Sequence, residues 1–295
     1  MYNGGAVLEQ LVVALRAALD PMSVEYEVIL VDDGSQDETW SVISKLSGAS
    51  ERIRGIRLAR NYGQHNALLA GIRAASRAIT VTIDADLQYP SERIPELVSK
   101  LEEGWDVVYG TAGRRTEGPS RRIASWLARR LLRRAMRVRV SFSSFRVFRT
   151  VLRDGFARFG GPYVSIDVLL SWSTVRYASI PVEQASRTSG RSSYSPRKLA
   201  SLALTMLTGF TTLPLRLASL VGFAFTLVGF ILLGFVVVEF LIAGRQVPGF
   251  AFLASIIAIF AGAQLFALGI IGEYLARVHM RVLDPPTYSI REELR

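Results

Sequence analysis

Two acidic turns are the parts of this sequence best suited to chemistry, and the clearer of them contains Asp84 and Asp86. These two carboxylates lie one residue apart and directly follow the apolar run 79–83. Such a turn can hold a divalent cation together with a diphosphate, because Mg²⁺ typically takes one or two carboxylates and completes its shell with phosphate oxygens and water. Gln88 could supply another oxygen ligand. Most Asp-X-Asp triplets are plain surface turns, so the position after a strand-like run is what favours metal binding here.

The second acidic turn contains Asp32 and Asp33, which follow the apolar run 26–31. A carboxylate in this position can accept hydrogen bonds from a nucleotide base or from a ribose hydroxyl. A purely structural role is the alternative, because Ser35 or Asp37 could cap the helix that begins near Thr39. The two roles are compatible, with the Asp pair on a nucleotide and Asp37 as the cap.

The elements that would position these turns follow a regular alternation. Short runs rich in β-branched residues predict strands, and 3.6-residue periodicity predicts helices between them. The predicted strands are 26–31, 79–83 and 106–110, and the predicted helices are 6–19, 39–46, 66–75 and 94–103. Strand–helix alternation predicts an α/β fold with a mainly parallel sheet and flanking helices. Ligands bind beyond the carboxyl ends of strands in such sheets, where both acidic turns are expected.

The last third of the chain is strongly apolar and predicts a membrane anchor. Residues 217–243 and 250–271 are each long enough to cross a hydrocarbon core of about 30 Å. The short connection 244–249 predicts a transmembrane hairpin, with a buried helical pair in a soluble domain as the alternative. The arginines at its outer ends, against Arg245 alone in the connection, predict cytoplasmic termini by the positive-inside rule. Their positions are 216, 277 and 281.

Basic residues are concentrated in one segment of a chain whose net charge is +10. Ten arginines fall between Arg114 and Arg139, with apolar residues at helical spacing among them. This pattern predicts a basic amphipathic helix, which either lies against anionic lipid head groups or is a solvated surface helix. Nucleic acid is not expected as a partner, because this segment has only Trp126 as an aromatic platform.

The composition also excludes several classes of site. The sequence has no cysteine and only two histidines, so disulfides, Cys-ligated zinc, a Cys nucleophile and a His-rich metal site are excluded. It has no Gly-rich phosphate loop of either common kind, which argues against a P-loop NTPase and a standard dinucleotide oxidoreductase. The start of the sequence lacks the pattern of a signal peptide, so membrane insertion is expected to use internal segments.

Taken together, the motifs resemble the family 2 glycosyltransferases, in the branch that joins sugars to dolichyl or polyprenyl phosphate. The resemblance rests on Val31–Asp37 and Asp84–Pro90. It extends through Arg60–Ala67, Thr211–Arg216 and Gly272–Arg277, where it is closest to the subgroup that transfers 4-deoxy-4-formamido-L-arabinose to undecaprenyl phosphate. It implies a GT-A-like catalytic domain followed by a two-helix transmembrane hairpin.

The resemblance also implies roles for individual residues. Mg²⁺ or Mn²⁺ would be held at Asp84, Asp86 and Gln88. The nucleotide would contact Tyr2, Asp32, Asp33, Asp84 and Gln88. The acceptor phosphate would contact Arg114, Arg121, Ser125, Arg146 and Arg187. The catalytic set is Asp86, Arg121 and Ser125.

Several positions depart from the family pattern. Relatives usually open with an apolar strand that ends in Pro-X-Tyr-Asn-Glu, whereas this sequence opens at Met1-Tyr2-Asn3-Gly4. The opening strand is therefore expected to be missing, with Tyr2 as the remnant of that nucleotide contact or with a misassigned start site. Ser193 stands where a loop lysine is usual. These changes affect individual contacts more than the overall reaction.

The expected organisation is a cytoplasmic catalytic domain at 1–195, an interfacial segment at 196–215, a hairpin at 216–277 and a cytoplasmic tail at 278–295. Within the hairpin, the two helices are expected at about 217–243 and 250–274. The expected reaction is inverting transfer of a sugar from a UDP-, GDP- or dTDP-linked donor to polyprenyl phosphate at the inner membrane. Homo-oligomerisation is left open.

Two other functions are left open by the sequence. A processive polysaccharide synthase is disfavoured, because the Gln-X-X-Arg-Trp motif and additional membrane helices are missing. A non-catalytic membrane protein that binds nucleotide-sugar or anchors partners is the second alternative. Intact Asp84, Asp86 and Gln88 favour the enzyme over it.

Overall fold

The computed structural model describes residues 1–112, 142–161, 164–184, 213–243 and 249–295. These residues divide into two units. Unit 1 comprises Met1–Ser193 together with Asp284–Arg295, and unit 2 comprises Tyr194–Leu283.

Unit 1 alternates strands and helices through its first half, as the sequence predicts. Its helices within the described ranges are α1 (Gly5–Leu19), α2 (Thr39–Gly48), α3 (Gln64–Ala74), α4 (Ile94–Glu102) and α5 (Ile166–Ser173). Its strands there are β1 (Val28–Asp32), β2 (Ile53–Leu58), β3 (Ile79–Thr82), β4 (Val107–Ala112), β5 (Arg146–Arg149), β6 (Tyr177–Val182) and β7 (Ile290–Leu294). Short 3₁₀ turns lie at Asp20–Met22, Ser91–Arg93 and Thr150–Phe156.

The strands form two sheets with mixed pairing. One has the order β1-β2-β7 and the other the order β3-β5-β4-β6. The pairs β1–β2 and β4–β6 are parallel, whereas β2–β7, β3–β5 and β4–β5 are antiparallel. The α/β class is confirmed, and the mainly parallel sheet is corrected to mixed sheets. The reason is that β5 and β7 come from parts of the chain outside the strand–helix alternation and enter in the opposite direction.

Helices cover the sheets because their apolar residues repeat at helical spacing. In α1, Leu8, Leu11, Val12 and Leu15 form one buried face. That face packs into a core that also contains Ile43, Leu97 and the strand residue Val108. The approach of α2 to β2 is close at Gly55, where an added Cβ would lie 2.6 Å from Ile43 Cγ2.

The facing edges of the two sheets are unpaired among the described residues, and a cavity of about 950 Å³ is lined by both. Leu30 of β1 and Val81 of β3 are among its apolar walls. At one end, the Met1 ammonium donates to the Val31 carbonyl at 2.7 Å, and the Asp33 N–H donates to the Met1 carbonyl at 2.7 Å. This pair of bonds is the pattern of a parallel bridge, so Met1 continues one position of a ladder along β1.

The last residues of the chain belong to unit 1. They lie in the segment expected to be a cytoplasmic tail, and within it Ile290–Leu294 form β7 on the edge of β2. Arg54 of β2 pairs with Glu293 at 2.9 Å and with Glu27 at 3.0 Å. The sheet edge is thereby closed by a strand that follows unit 2 in the sequence.

Unit 2 contains α6 (Leu213–Ala243) and α7 (Phe250–Val282). The two helices pack together through an edge-to-face contact of Phe225 and Phe260, whose ring centroids are 5.6 Å apart. Both helices are long and apolar enough to span a bilayer over Leu215–Val238 and Ile259–Val282, judged by length and composition alone. Phe223 and Phe266 are 69% and 65% exposed, unlike side chains in the core of a soluble domain.

Candidate active site

The turn Asp84–Gln88 follows β3 directly and carries the predicted metal ligands. Asp84 is half-buried, Asp86 is exposed and Gln88 is buried. Leu87 between them has a φ of 56°, in the left-handed region that L residues rarely adopt. Such strain is kept where the surrounding structure fixes the backbone, and it often accompanies functional sites.

Asp84 is held by two side chains from distant parts of the sequence. Gln64, the first residue of α3, donates its amide to Asp84 Oδ1 at 2.7 Å. Ser144, just before β5, donates its hydroxyl to Asp84 Oδ2 at 2.5 Å. Because both oxygens accept a hydrogen bond, the carboxylate has a fixed orientation at the carboxyl end of β3.

Asp33 is held by the loop that leads into α3. Its Oδ1 accepts the Tyr62 N–H at 2.7 Å, and its Oδ2 accepts the Gly63 N–H at 2.9 Å. Burial raises the pKa of Asp33, and these two hydrogen bonds oppose that shift. The loop lies close to Gly34, whose φ is 69° and whose added Cβ would lie 2.5 Å from the Arg60 carbonyl carbon. The glycine is therefore required both by its backbone angle and by the space available.

Asp32 is fully buried and has structural partners. One of its oxygens accepts the Ser35 N–H at 2.9 Å, and the other lies 3.5 Å from Arg57 Nε. The N-cap position of α2 is Glu38, which makes no side-chain cap hydrogen bond, so neither Ser35 nor Asp37 is the cap. Asp37, one residue earlier, accepts the Thr39 N–H at 3.1 Å, and the Thr39 hydroxyl lowers its pKa. The predicted contact of Asp32 with a nucleotide stays a prediction.

The two acidic turns meet in space through Gln64. It is adjacent in sequence to Gly63, which bonds Asp33, while its own side chain bonds Asp84. Tyr2 is 46% exposed and lines the same cavity as Asp33 and Asp84. The structure therefore brings Tyr2, Asp33 and Asp84 to one edge of unit 1.

A divalent cation fits the donor chemistry of the Asp84–Gln88 turn. Among the described residues, no group of three or more His, Asp or Glu side chains converges as a complete metal cage. Two neighbouring carboxylates suffice for a cation that takes its remaining ligands from a diphosphate and water. Gln88 is less available, because its carbonyl oxygen accepts the Gln184 amide at 2.8 Å.

Arg146 lies in a buried polar cluster. It pairs with Asp167 at 2.5 Å, and its side chain is only 2% exposed. The Tyr109 hydroxyl donates to the same Asp167 oxygen at 2.9 Å, and burial raises the pKa of Tyr109. The predicted contact of Arg146 with the acceptor phosphate stays a prediction. Independently of that contact, Asp167 is a structural partner of this arginine.

The other predicted acceptor contacts lie outside the described residues. They are Arg114, Arg121, Ser125 and Arg187. Their roles, including the catalytic roles of Arg121 and Ser125, stay predictions.

Sequence reasoning did not identify the residues that orient the carboxylates. Gln64 lies 20 positions from Asp84, and Ser144 lies 60 positions from it. The usable signal was the polar run Arg60–Asn66, which comprises the loop after β2 and the first residues of α3. A polar loop that leads into a helix at this sheet edge faces the ligand side.

Comparisons with known proteins concern the family and the fold of this chain. The chain is 35% identical to "Undecaprenyl-phosphate 4-deoxy-4-formamido-L-arabinose transferase" of Shewanella sediminis (strain HAW-EB3) over 299 aligned positions, which cover 100% of this chain and 90% of that protein. A crystal structure of glucosyl-3-phosphoglycerate synthase from Mycobacterium tuberculosis, in complex with Mn²⁺, UDP and phosphoglyceric acid, is 20% identical. The aligned region covers 70% of this chain and 74% of the synthase chain, with a TM-score of 0.50. This likeness concerns the fold alone.

The family model described as "Glycosyl transferase family 2" matches residues 1–156, a range that contains both acidic turns and the loop that joins them. The fold of unit 1 is accordingly GT-A-like. The chain belongs to glycosyltransferase family 2.

Proposed function

We propose that this enzyme transfers a sugar from a nucleotide-sugar to undecaprenyl phosphate or a similar polyprenyl phosphate. The observation that carries the proposal is the convergence of Asp33 and Asp84 at one sheet edge through Tyr62, Gly63 and Gln64, with exposed Asp86 beside them. The relative from Shewanella sediminis, similar over the whole chain, supports the same acceptor class.

The chain's own residues would prepare the donor for attack. Asp84 and Asp86 would hold Mg²⁺ or Mn²⁺, which when bound neutralises charge on the leaving nucleoside diphosphate. The hydrogen bonds from Gln64 and Ser144 keep Asp84 aimed, so little reorganisation is needed during the reaction. Asp33 and Tyr2 would position the nucleotide at the adjacent turn.

The acceptor needs orientation more than activation. A phosphate monoester is largely a dianion at neutral pH, because its second pKa is about 6. Its oxygen can attack the anomeric carbon without an obligatory general base, and catalysis would come from positioning and charge stabilisation. Attack from the side opposite the leaving diphosphate inverts the anomeric configuration. Arg114, Arg121, Ser125 and Arg187 are the proposed phosphate contacts.

A membrane anchor suits this acceptor. The two apolar helices α6 and α7 would insert in the inner membrane with both termini in the cytoplasm. The catalytic unit would then have access to the nucleotide-sugars of the cytoplasm. The expected order of catalytic domain, interfacial segment, hairpin and tail is kept in this proposal, with two changes. The second apolar helix α7 continues to Val282, and Asp284–Arg295 belongs to unit 1.

The direct experiment is a transfer assay with purified protein, undecaprenyl phosphate, Mn²⁺ or Mg²⁺ and a panel of UDP-, GDP- and dTDP-sugars. One donor is expected to give a lipid-linked sugar with stoichiometric release of nucleoside diphosphate. Saturable binding of a nucleotide-sugar without product, for every donor and both metals, would instead support a non-catalytic binding protein.

A further inference from the structure

Helix α7 carries two parallel rows of side chains that differ in what covers them. One row is half-buried and includes Phe260, which contacts Phe225 of α6. Its positions alternate between steps of four and three residues: Ile256, Phe260, Ala263, Ala267, Ile270, Tyr274 and Arg277. The second row, which we call the outer seam, is displaced by one residue, repeats in the same steps and is exposed throughout. It consists of Ile257, Ala261, Gln264, Leu268, Ile271, Leu275, Val278 and Val282.

The spacing of the outer seam is that of a coiled coil. Alternating steps of four and three residues average 3.5 residues per turn, the repeat by which helices pair with a left-handed supercoil. The seam extends over roughly 38 Å of helix, at 1.5 Å per residue. It lies directly beside the row that includes Phe260, so another helix could pack there without displacing α6.

Gln264 is the polar member of the outer seam, and it lies inside the apolar part of α7. Two polar side chains of α6 have partners within their own helix: Ser219 donates to the Leu215 carbonyl at 3.0 Å, and Thr226 donates to the Gly222 carbonyl at 2.9 Å. The exposed amide of Gln264 has no hydrogen-bond partner among the described residues. In hydrocarbon an unpaired amide is strongly unfavourable, so this group requires a partner from another molecule.

A second copy of this chain is the partner that the amide fits. Two α7 helices with the same orientation in the bilayer can be related by a two-fold axis along the membrane normal, which places the two Gln264 side chains at the same depth. A primary amide contains both a donor and an acceptor, so one Gln264 can bond its counterpart. A carboxylate or an ammonium group could not pair with its own copy in this way.

The outer seam also continues beyond the purely apolar part of α7. Leu275, Val278 and Val282 are 64%, 55% and 77% exposed. On other faces of the same turns, Glu273 and Arg277 form an ion pair at 2.7 Å. Because charged side chains are unfavourable in the hydrocarbon core, this part of the seam belongs near the membrane surface. Exposed apolar side chains in that position favour a protein neighbour.

We propose that α7 is the contact between two copies of this protein in the membrane, with the two outer seams paired as a left-handed coiled coil and the two Gln264 amides bonded to each other. A single polar residue at a core position of a coiled coil fixes the register and the number of helices in this way. The inference rests on the proposed function only for the insertion of α7 in the membrane, and it does not depend on the reaction.

Cysteine cross-linking in native membranes tests the seam, because the sequence has no cysteine of its own. Leu268→Cys and Leu275→Cys lie on the seam, and Phe266→Cys is the matched control. Phe266 has a similar depth and is 65% exposed, but it lies outside the seam. Under copper-phenanthroline oxidation the two seam variants should form disulfide-linked dimers at least about fivefold faster than Phe266→Cys, because a disulfide requires closely spaced Cβ atoms.

The role of the amide is tested by energy transfer between donor- and acceptor-labelled copies in liposomes, over a range of protein-to-lipid ratios. Gln264→Leu keeps α7 apolar and should weaken association by about 5- to 30-fold, the effect of one interhelical hydrogen bond in lipid. Gln264→Asn keeps an amide and should stay within about threefold of the wild type. Thr226→Val is the control, because the hydroxyl that it removes is bonded within α6, and it should associate as the wild type does.

Equal cross-linking of Leu268→Cys and Phe266→Cys would overturn the inference, and so would capture of a different protein at Leu268→Cys in place of a second copy. Association of Gln264→Leu as strong as that of the wild type would also overturn it. Release of the wild type from membranes by alkaline carbonate would contradict both the anchor and this inference. An inserted, dimeric protein that transfers no sugar would contradict the proposed reaction alone.

Discussion

At the scale of single residues, the site is organised by hydrogen bonds that join distant parts of the sequence. The Asp84–Asp86 turn was predictable, because two carboxylates after an apolar strand form a local pattern. Gln64 and Ser144, which orient Asp84, were not predictable as partners, because their proximity depends on how β3, β5 and α3 meet. The cation nearest to buried Asp32, Arg57, likewise comes from the neighbouring strand.

His65 allows a prediction about pH at this scale. Burial lowers its pKa from about 6.5, and its Nδ1 accepts the Ile166 N–H at the start of α5, 3.5 Å away. A histidine whose pKa is lower in the folded state stabilises the fold above its unfolded pKa, and this contribution is lost as the pH falls. The free energy of unfolding should therefore decrease below about pH 6.5.

Thermal unfolding between pH 5 and pH 7.5 measures this effect. The His65→Gln variant, which cannot titrate, should show a flatter dependence, while His279→Gln should behave as the wild type does. Equal slopes for the wild type and His65→Gln would show that His65 is not the responsible group.

The buried pair of Arg146 and Asp167 gives a second residue-scale prediction. Asp167→Asn removes the partner of a guanidinium that is almost completely buried, so the variant should lose roughly 3–5 kcal/mol of stability. Replacing Arg146 by Met in the same protein should recover much of this loss, because no unpaired charge remains. Denaturant titration of the single and double variants provides the measurement, and a fully stable Asp167→Asn protein would contradict the structural role.

At the scale of elements, strong periodicity was enough to predict α1 to α4, whereas the short helix α5 (Ile166–Ser173) and several strands were not predicted. The helices α1 to α4 fall within a few residues of their predicted ranges. The strand β2 was missed because Arg54 and Arg57 interrupt its apolar pattern, yet both form ion pairs in the structure. The strand β7 was missed because its residues are mostly exposed and pair with a strand more than 200 positions earlier.

The unpaired edges of β1 and β3 lead to a prediction for this scale. An added segment of five β-branched residues before Met1 would extend the parallel bridge that Met1 already makes and would fill the apolar cavity. Because it would bury apolar area and pair free strand edges, it should raise the melting temperature by roughly 5 °C.

An extension of equal length made of Gly and Ser is the control, since it lacks apolar side chains. Calorimetry of the two extended proteins and of the original chain gives the comparison. Equal melting temperatures for all three would mean that the cavity does not accept a strand.

At the scale of the whole molecule, the apolar character of α6 and α7 was evident from composition, whereas the return of the chain to unit 1 after α7 was not. The proposed membrane topology rests on the distribution of arginines. It can be tested by cysteine labelling without background from native thiols, because the sequence has no cysteine. Arg245→Cys should react with a membrane-impermeant maleimide in right-side-out vesicles. Arg295→Cys should react only in inside-out vesicles. Labelling of both variants from the same side would contradict the hairpin.

The central claim is that the carboxylates at the end of β3 support metal-dependent transfer to a lipid phosphate. The most direct measurement is the rate of lipid-linked sugar formation by the wild type, by Asp86→Ala and by the control Asp154→Asn, whose exposed carboxylate lies outside the candidate site. Asp86→Ala should lose at least about 10³-fold of the rate with normal membrane insertion, while Asp154→Asn should retain it. Wild-type turnover in Asp86→Ala at saturating donor and metal would contradict the claim.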